Sequence, residues 1–284
     1  MPDTAARLDH VLAEGRRRLA EGGVAAPAAE VRKIWAALFG RVPGESVLER
    51  NRSLEPADAE RLASAFERRA RGEPLAHVTA MAGFRHLDLH SDCRALIPRP
   101  ETEGLVEGML ARVRIGVAVD VGTGSGCIAL SLADEGDFTC VVGIDRSADA
   151  LQLARSNRDD LGLSVAFLQG DLATSIATGS VDALVANPPY LSAAEYSELD
   201  PAVRDWEPSM ALVSGTDGLD ATFALLQDGL RALRPGGWIG LELDCTRAVS
   251  VADRAMHLGW TTVSVEADLF GRDRYLFAQR SGTS

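Results

Sequence analysis

The sequence has little cysteine and no long apolar run, and both absences restrict the classes of protein to which it can belong. Its four cysteines, Cys93, Cys127, Cys140 and Cys245, lie far apart and form no C-x-x-C pair, which argues against a disulfide framework or a zinc site. No apolar stretch reaches the roughly 18 residues that a membrane span requires. Residues 1–5 lack the basic-then-apolar pattern of a signal peptide. We therefore expect a cytoplasmic protein without a metal centre.

Basic residues are fewer than acidic ones, and the difference is unevenly distributed. The chain of 284 residues carries 29 basic and 41 acidic residues, a formal charge of −12. Residues 1–72 are nearly balanced, with 13 basic and 11 acidic residues, so residues 73–284 hold the acidic excess. Extensive nucleic-acid binding relies on many Lys and Arg contacts with phosphates. The acidic larger part of the chain therefore argues against direct nucleic-acid binding.

Helical periodicity dominates the first quarter of the chain. Apolar residues recur at helical spacing over residues 8–19 and 28–38. Pro56 stands near the start of a further helix, which we expect to end at about Arg71. This helical domain, residues 1–72, has no catalytic constellation of its own. We assign it to recognition of a macromolecular substrate, with a purely stabilising cap as the alternative.

The composition changes over residues 73–100. Short apolar pieces at residues 75–78, 84–89 and 95–97 alternate with turn residues such as Gly83. Short apolar runs bounded by turn residues are typical of strands. We therefore predict a β-hairpin linker between the helical domain and the rest of the chain.

Strand and helix patterns alternate in the remaining domain, residues 101–284, as in a doubly wound α/β sheet. Right-handed crossovers place the loops after the first four strands at one edge, where open α/β sheets bind ligands. We predict a seven-stranded Rossmann-like sheet. Its strands are expected at residues 117–121, 140–145, 165–169, 183–186, 238–243, 261–266 and 275–279, and its helices near 126–134, 147–160, 218–233 and 246–258.

A glycine-rich loop follows the first of these strands and opens a helix. Glycines in this position permit a tight turn and let the backbone approach a ligand closely. A phosphate loop would end in G-K-[ST], and a dinucleotide loop would have glycine where Cys127 stands. The D-x-G-x-G-x-G pattern is instead typical of S-adenosylmethionine-binding loops, with a purely structural turn as the alternative. The predicted cofactor residues of this loop are Gly122, Thr123, Gly124, Ser125 and Gly126.

Acidic residues follow the next two predicted strands. Asp145 ends the second strand, where a carboxylate can accept hydrogen bonds from both hydroxyls of a ribose. Asp171 and Leu172 follow the third strand, where a side chain and a backbone N–H can contact an adenine. Three neighbouring strand ends thereby supply contacts for methionine, ribose and adenine. The sequence predicts an S-adenosylmethionine site at this edge of the sheet.

The fourth strand leads directly into Asn187-Pro188-Pro189-Tyr190. The prolines have no N–H and fixed φ angles, so the Asn187 side-chain oxygen and the Pro188 carbonyl remain as acceptors beside the Tyr190 ring. Such a pair suits an NH2 group conjugated to a flat π system. Positioning and charge stabilisation can carry methyl transfer to this nitrogen, so we assign Asn187, Pro188 and Tyr190 to catalysis and Asn187 also to cofactor binding. A side-chain amide and the exocyclic amine of adenine both fit, and a rigid structural turn is the remaining alternative.

From about residue 73 to its C-terminus the chain resembles the HemK/PrmC family, the glutamine methyltransferases that modify peptide chain release factors. The string Ile-Pro-Arg-Pro-Glu-Thr-Glu at residues 97–103, combined with residues 187–190 at this separation, is far more specific than either segment alone. The glycine loop, Trp206-Glu207-Pro208 and residues 268–274 extend the similarity.

The resemblance implies that S-adenosylmethionine binds at the glycine loop, Asp145 and Leu172. It further implies that residues 187–190, Pro189 included, hold a substrate glutamine. Lining the same pocket would be Arg99, Pro100 and Glu101, with Thr102 nearby. The family's glutamine lies in a Gly-Gly-Gln loop, so the expected partner is a release factor. A glutamine of a ribosomal protein is the close alternative, and a nucleic-acid adenine is the less favoured one.

Overall fold

The computed structural model describes residues 6–282, and the chain divides into two compact units. The first unit comprises Met1–Met81 together with Asp200–Trp206, and the second comprises Ala82–Leu199 together with Glu207–Ser284. Among the described residues, none of the helices has the length and apolar character that crossing a membrane requires.

The first unit is a group of helices packed around an apolar core. Leu19, Ile34, Trp35 and Leu62 are fully buried in this core, because apolar residues at helical spacing form one continuous face on each helix. The three helices that the sequence predicts within residues 1–72 are confirmed. The helices of this part of the chain are α1 (Leu8–Glu21), α2 (Pro27–Phe39), α3 (Glu45–Leu48), α4 (Pro56–Ala70) and α5 (Leu75–Thr79).

The prediction is wrong for residues 75–78, which it places in the β-hairpin linker. They form α5, in which the hydroxyl of Thr79 donates to the carbonyl of Leu75 at 2.9 Å. Their apolar side chains pack into the helical core of the first unit, and this packing outweighs the strand-like local pattern. The hairpin itself is confirmed further along the chain as β1 (Met81–Phe84) and β2 (Leu87–His90).

A seven-stranded sheet forms the centre of the second unit. Its strands are β3 (Ile115–Val121), β4 (Asp137–Asp145), β5 (Ala166–Gln169), β6 (Val181–Ala186), β7 (Leu233–Glu242), β8 (Thr261–Ala267) and β9 (Asp273–Gln279). They lie in the order β5-β4-β3-β6-β7-β9-β8, and neighbours are parallel except that β9 runs antiparallel to β7 and β8. All seven predicted strands and the Rossmann-like sheet are confirmed.

Helices cover both faces of this sheet. On β6, Ala183 and Val185 belong to one apolar core while Leu184 and Ala186 belong to the other, since successive side chains of a strand point to opposite faces. The first core includes α6 (Pro100–Leu110) and α7 (Cys127–Glu135), and the second includes α11 (Asp220–Ala232) and α12 (Ala248–His257). The other helices of the described chain are α8 (Ala148–Leu161), α9 (Ala193–Ser197) and α10 (Pro201–Arg204), with a 3₁₀ turn at Ser209–Ala211.

The side chain of Asn157 links three parts of the second unit. On α8 this residue is buried, and its Oδ1 accepts from the His90 backbone N–H at 2.7 Å. Its Nδ2 donates to the carbonyls of His90, at 3.2 Å, and Ser125, at 2.9 Å. One amide therefore ties the hairpin and the glycine loop to α8.

We expect Asn157→Ala to lower the free energy of unfolding by about 2 kcal/mol, because buried polar groups that lose their partners cost roughly 1–3 kcal/mol each. Urea unfolding followed by circular dichroism measures this change. Ser156→Ala on the exposed face of the same helix is the control, and it should change stability by less than about 0.5 kcal/mol. Equal stability of the two variants would contradict the assigned role of Asn157.

Candidate active site

A cavity of about 740 Å³ lies where β3, β4, β5 and β6 end, and its wall contains most of the predicted site residues. This is the edge at which open α/β sheets bind ligands. Ten of the predicted site residues line the cavity: Arg99, Gly122, Thr123, Gly124, Ser125, Asp145, Asp171, Leu172, Asn187 and Pro189. The other five predicted residues do not line it: Pro100, Glu101, Gly126, Pro188 and Tyr190.

The glycine loop presents its backbone to this cavity. Gly122 has a φ of +74°, and a Cβ added to it would meet no protein atom within 4 Å, so glycine keeps this part of the wall open. Gly126 has a different reason to be glycine. Its φ is +86°, and a Cβ there would lie only 3.1 Å from Leu130 Cδ1 and 3.2 Å from Phe167 Cζ. Gly122 therefore leaves space for a ligand, whereas Gly126 permits close packing behind the loop.

The carboxyl group of Asp120 fixes the position of the glycine loop. It is fully buried, and its Oδ2 accepts hydrogen bonds from the Thr123 hydroxyl and from the Ala129 backbone N–H. Burial raises the pKa of Asp120 to about 7, against the opposing effect of these two hydrogen bonds. The same carboxyl group thereby joins the end of β3, the loop and the first turn of α7.

The carboxylate of Asp145 is fixed in orientation beside the loop. Its Oδ2 accepts from the Gly124 backbone N–H and its Oδ1 from the Ser147 backbone N–H, each at 2.9 Å. Since a carboxylate oxygen can accept more than one hydrogen bond, both oxygens can also accept from a ligand. Asp145 lines the cavity in this fixed pose.

Leu172 has an unusual backbone conformation for its residue type. Its φ is +47°, in the left-handed region that side chains other than glycine rarely occupy. Such conformations cost of order 1–3 kcal/mol and concentrate at functional sites. The strained residue lies in the cavity wall next to Asp171, at the end of β5.

Asn187 immediately follows β6 and faces the same cavity. Its Nδ2 donates to the hydroxyl oxygen of Thr102 at 3.1 Å. With the donor end of the amide turned to Thr102, Oδ1 is left as the acceptor. Tyr190 lies further along the segment, and burial raises the pKa of its hydroxyl to about 12, so the phenol is uncharged at neutral pH.

Arg99 forms an ion pair with Glu207, an acidic residue for which the sequence patterns predicted no role. Its Nη2 pairs with Oε1 of Glu207, a buried residue. The other carboxylate oxygen of Glu207 accepts from the Ile97 backbone N–H at 3.3 Å. Glu207 therefore ties the segment that carries Arg99 to the chain beyond Tyr190. The sequence signal that could have identified Glu207 as a site residue is its position in the Trp206-Glu207-Pro208 string.

Glu242 is a second acid without an assigned role. It ends β7, is 2% exposed, and its Oε2 has no hydrogen-bond partner in the described part of the chain. Burial raises its pKa to about 7, while a hydrogen bond from Thr102 and the nearby Arg274 act in the opposite direction. Sequence reasoning could have singled it out, because it is an acid at the carboxyl end of the strand next to β6.

The chain beyond Tyr190 is also fixed by polar contacts. At the start of α9, the Glu195 backbone N–H donates to the Ser192 hydroxyl, and the Glu195 carboxylate accepts from the Ser192 backbone N–H. Arg247 then donates to both oxygens of Glu195, at 2.8 and 2.7 Å. These hydrogen bonds fix the conformation of the chain directly after residues 187–190.

Two family models match this chain. A family model described as "PrmC N-terminal domain" matches residues 10–79. A second family model, described as "Methyltransferase small domain", matches residues 100–200. A solved methyltransferase structure from Pyrococcus furiosus covers 69% of this chain and 89% of its own, with a TM-score of 0.53 and 21% identity. At that identity the likeness shows the fold alone.

Two curated relatives match almost the full length. A release factor glutamine methyltransferase of Nitratidesulfovibrio vulgaris is 39% identical over 97% of this chain and 96% of its own. Another, from Moorella thermoacetica, is 41% identical over 96% of this chain and 98% of its own. Identity at this level over nearly the full length of both chains leads to one conclusion: the chain belongs to the release factor glutamine methyltransferase family.

Proposed function

We propose that this protein transfers the methyl group of S-adenosylmethionine to the side-chain amide nitrogen of the glutamine in the Gly-Gly-Gln loop of a peptide chain release factor. The observation that carries the proposal is the Asn187 amide, which presents Oδ1 to a cavity that also contains the glycine loop. The family to which the chain belongs supports the identity of the substrate.

The cavity suits the donor. Open space above Gly122 lets a ligand lie directly on the backbone. The fixed carboxylate of Asp145 can accept both ribose hydroxyls, and Asp171 and Leu172 lie one strand further for the adenine. Bound S-adenosylmethionine supplies an electrophilic methyl group on a sulfonium and leaves as S-adenosylhomocysteine.

The acceptor residues suit an amide. Oδ1 of Asn187 accepts one N–H of the glutamine NH2 group. Pro188 and Tyr190 do not line the cavity, but both adjoin residues that do, Asn187 and Pro189. We therefore assign the second N–H to the Pro188 carbonyl and the flat face of the amide to the Tyr190 ring, an arrangement that aims the nitrogen lone pair at the methyl carbon. As the N–C bond forms and the S–C bond breaks, the nitrogen gains positive charge, which both acceptor oxygens stabilise. The product amide then loses one proton to water.

Arg99 and Glu207 contribute to the shape of the pocket. The two residues form an ion pair in which the Glu207 side chain is buried, so Glu207 fixes the position of the Arg99 guanidinium. A fixed guanidinium can donate to a carbonyl oxygen of the substrate backbone. A release factor as substrate also implies that the enzyme acts in the cytoplasm, with no membrane and no nucleic acid among its direct partners.

The substrate proposal predicts that the purified protein, incubated with labelled S-adenosylmethionine, methylates a release factor on one glutamine. Mass spectrometry of the digested factor should locate one added methyl group in the Gly-Gly-Gln peptide. A release factor with Gln→Ala in that loop is the control and should remain unlabelled. Labelling of the altered factor, or of a ribosomal protein or an adenine in place of the release factor, would be evidence against the proposal.

The amide-holding mechanism predicts that Asn187→Ala lowers kcat by about 100-fold or more, as loss of one charge-stabilising group in an active site typically does. The Kd for S-adenosylmethionine, measured by calorimetry, should change far less than kcat, because the glycine loop and Asp145 retain their contacts with the cofactor. Gln152→Ala, which removes an amide from the exposed face of α8, should retain wild-type kcat. Near-normal turnover of Asn187→Ala would refute the mechanism.

A further inference from the structure

The backbone of Tyr190 packs directly against Gly218. This glycine is buried and has a φ of +79°, and a Cβ added to it would lie only 2.2 Å from the Tyr190 carbonyl oxygen. Glycine alone combines this backbone conformation with so close an approach. The turn at residues 215–218 therefore supports the acceptor segment, which comprises residues 187–190, through contact with its last residue.

Leu191, the residue after the acceptor segment, is joined to the chain that leads into this turn. Its backbone N–H donates to the Leu212 carbonyl at 2.9 Å, and its carbonyl accepts from the Ser214 backbone N–H at 2.8 Å. Both Val213 and Ser214 line the cavity. Two backbone hydrogen bonds thereby join the acceptor segment to a part of the cavity wall.

The guanidinium of Arg247 connects the turn to the chain after the acceptor segment. Its Nε donates to the Asp217 carbonyl at 2.8 Å, and its Nη2 donates to the two carboxylate oxygens of Glu195 at 2.8 and 2.7 Å. Its Nη1 lies 3.5 Å from Oδ1 of Asp244, in the loop after β7. Arg247 thus joins three segments, and the planar fork of a guanidinium does so in one fixed geometry.

Glu195 continues this connection to the acceptor segment. Its Oε2, which accepts from Arg247, also accepts from the Ser192 backbone N–H at 2.8 Å. Ser192 is the second residue after Tyr190. A single arginine therefore fixes the backbone of Tyr190 from both directions, through the turn on one side and through the start of α9 on the other.

Stability alone does not account for these contacts. The Glu195 side chain is 44% exposed, and ion pairs with an exposed partner contribute little to the free energy of folding. The Arg247 side chain is only 15% exposed, so its cation is largely removed from water, which has a desolvation cost. What the contacts supply is a fixed position for Tyr190, whose ring the proposed function assigns to the substrate amide.

We propose that Arg247 is a positioning residue for methyl transfer: through the 215–218 turn and α9 it fixes Tyr190, and thereby the pose of the substrate amide. This inference rests on the proposed function, in which the nitrogen of that amide attacks the methyl group. Arg247 lies outside the cavity wall, so its effect reaches the substrate through the acceptor segment. Its loss should therefore change turnover far more than cofactor binding.

The first test replaces Arg247 by lysine, which keeps the positive charge and lacks the planar fork. With S-adenosylmethionine and a release factor, Arg247→Lys should lower kcat about 10- to 100-fold, because a misplacement of a reacting group by about 1 Å has effects up to this order. The Kd for S-adenosylmethionine should change far less. Arg254→Lys, on the exposed side of α12, is the matched control and should retain wild-type kcat.

Glu195→Gln tests the connection through α9. It removes the negative charge at constant shape and should lower kcat by a smaller factor than Arg247→Lys. Because both substitutions interrupt one connection, kcat of the double variant should match that of Arg247→Lys within about twofold, whereas independent effects would multiply. A double variant in which the two factors multiply would be evidence against a shared path.

A pair of glycine variants keeps the inference testable if Arg247→Lys does not fold. Gly218→Ala places a methyl group against the Tyr190 carbonyl and should lower kcat by about 10-fold or more, in enzyme that circular dichroism shows to be folded. Gly236→Ala is the matched control, since its φ is +83° and a Cβ there would meet no protein atom within 4 Å. It has the same backbone strain without the contact and should retain wild-type kcat.

Two results would overturn the inference. Wild-type kcat in Arg247→Lys, with only a lower free energy of unfolding in urea, would show a purely structural role. Equal loss of kcat in Gly218→Ala and Gly236→Ala would show that backbone strain alone explains the loss. Failure of the wild-type enzyme to methylate a release factor would instead count against the proposed function, so the two kinds of failure are distinguishable.

Discussion

The register between β3 and β6 is the constraint on which the rest of the site depends. Val121 is paired with Ala186, so Gly122 and Asn187 leave the sheet at the same level on neighbouring parallel strands. Parallel strands present their carboxyl ends at one edge, and this pairing sets the donor loop beside the acceptor segment. A shift of one residue would turn every side chain of β6 to the other face and would remove Asn187 from the cavity.

Two carboxyl groups are buried near the loops that this register brings together. Asp120 on β3 accepts hydrogen bonds from the glycine loop and from α7, and Glu242 is buried at the end of β7. Burial raises the pKa of both carboxyl groups to about 7, so each carries a desolvation cost that an apolar residue would avoid. The cost is concentrated at the cavity, where fixed dipoles are of use, and the two apolar cores elsewhere in the second unit provide the stability that offsets it.

Local sequence patterns were sufficient for the elements and for the loops that follow them. Seven alternating apolar segments predicted seven strands, and the glycine loop and residues 187–190 were placed at strand ends because both directly follow such segments. Residues 75–78 were predicted incorrectly, because a short, mainly apolar segment fits a strand as well as a helix, and only packing against the first unit's core decides between them.

Partnerships between distant residues could not be predicted in the same way. Thr102 and Asn187 are 85 positions apart, and Arg99 and Glu207 are 108 apart. Such pairs depend on which helix covers which strand, and residue spacing in one sequence does not contain this information. The resemblance placed Thr102 near the pocket, but its role as hydrogen-bond acceptor for Asn187 follows only from the folded chain.

The central claim is that the Asn187 amide faces its substrate with Oδ1. The most direct measurement is a neutron structure of the enzyme with S-adenosylhomocysteine and a Gly-Gly-Gln peptide, since neutron diffraction distinguishes amide nitrogen from oxygen and locates hydroxyl deuterium. The account predicts Oδ1 at about 2.9 Å from the glutamine nitrogen, with the Thr102 deuterium directed away from Asn187. An amide with Nδ2 toward the glutamine, or a Thr102 deuterium directed at Asn187, would contradict it.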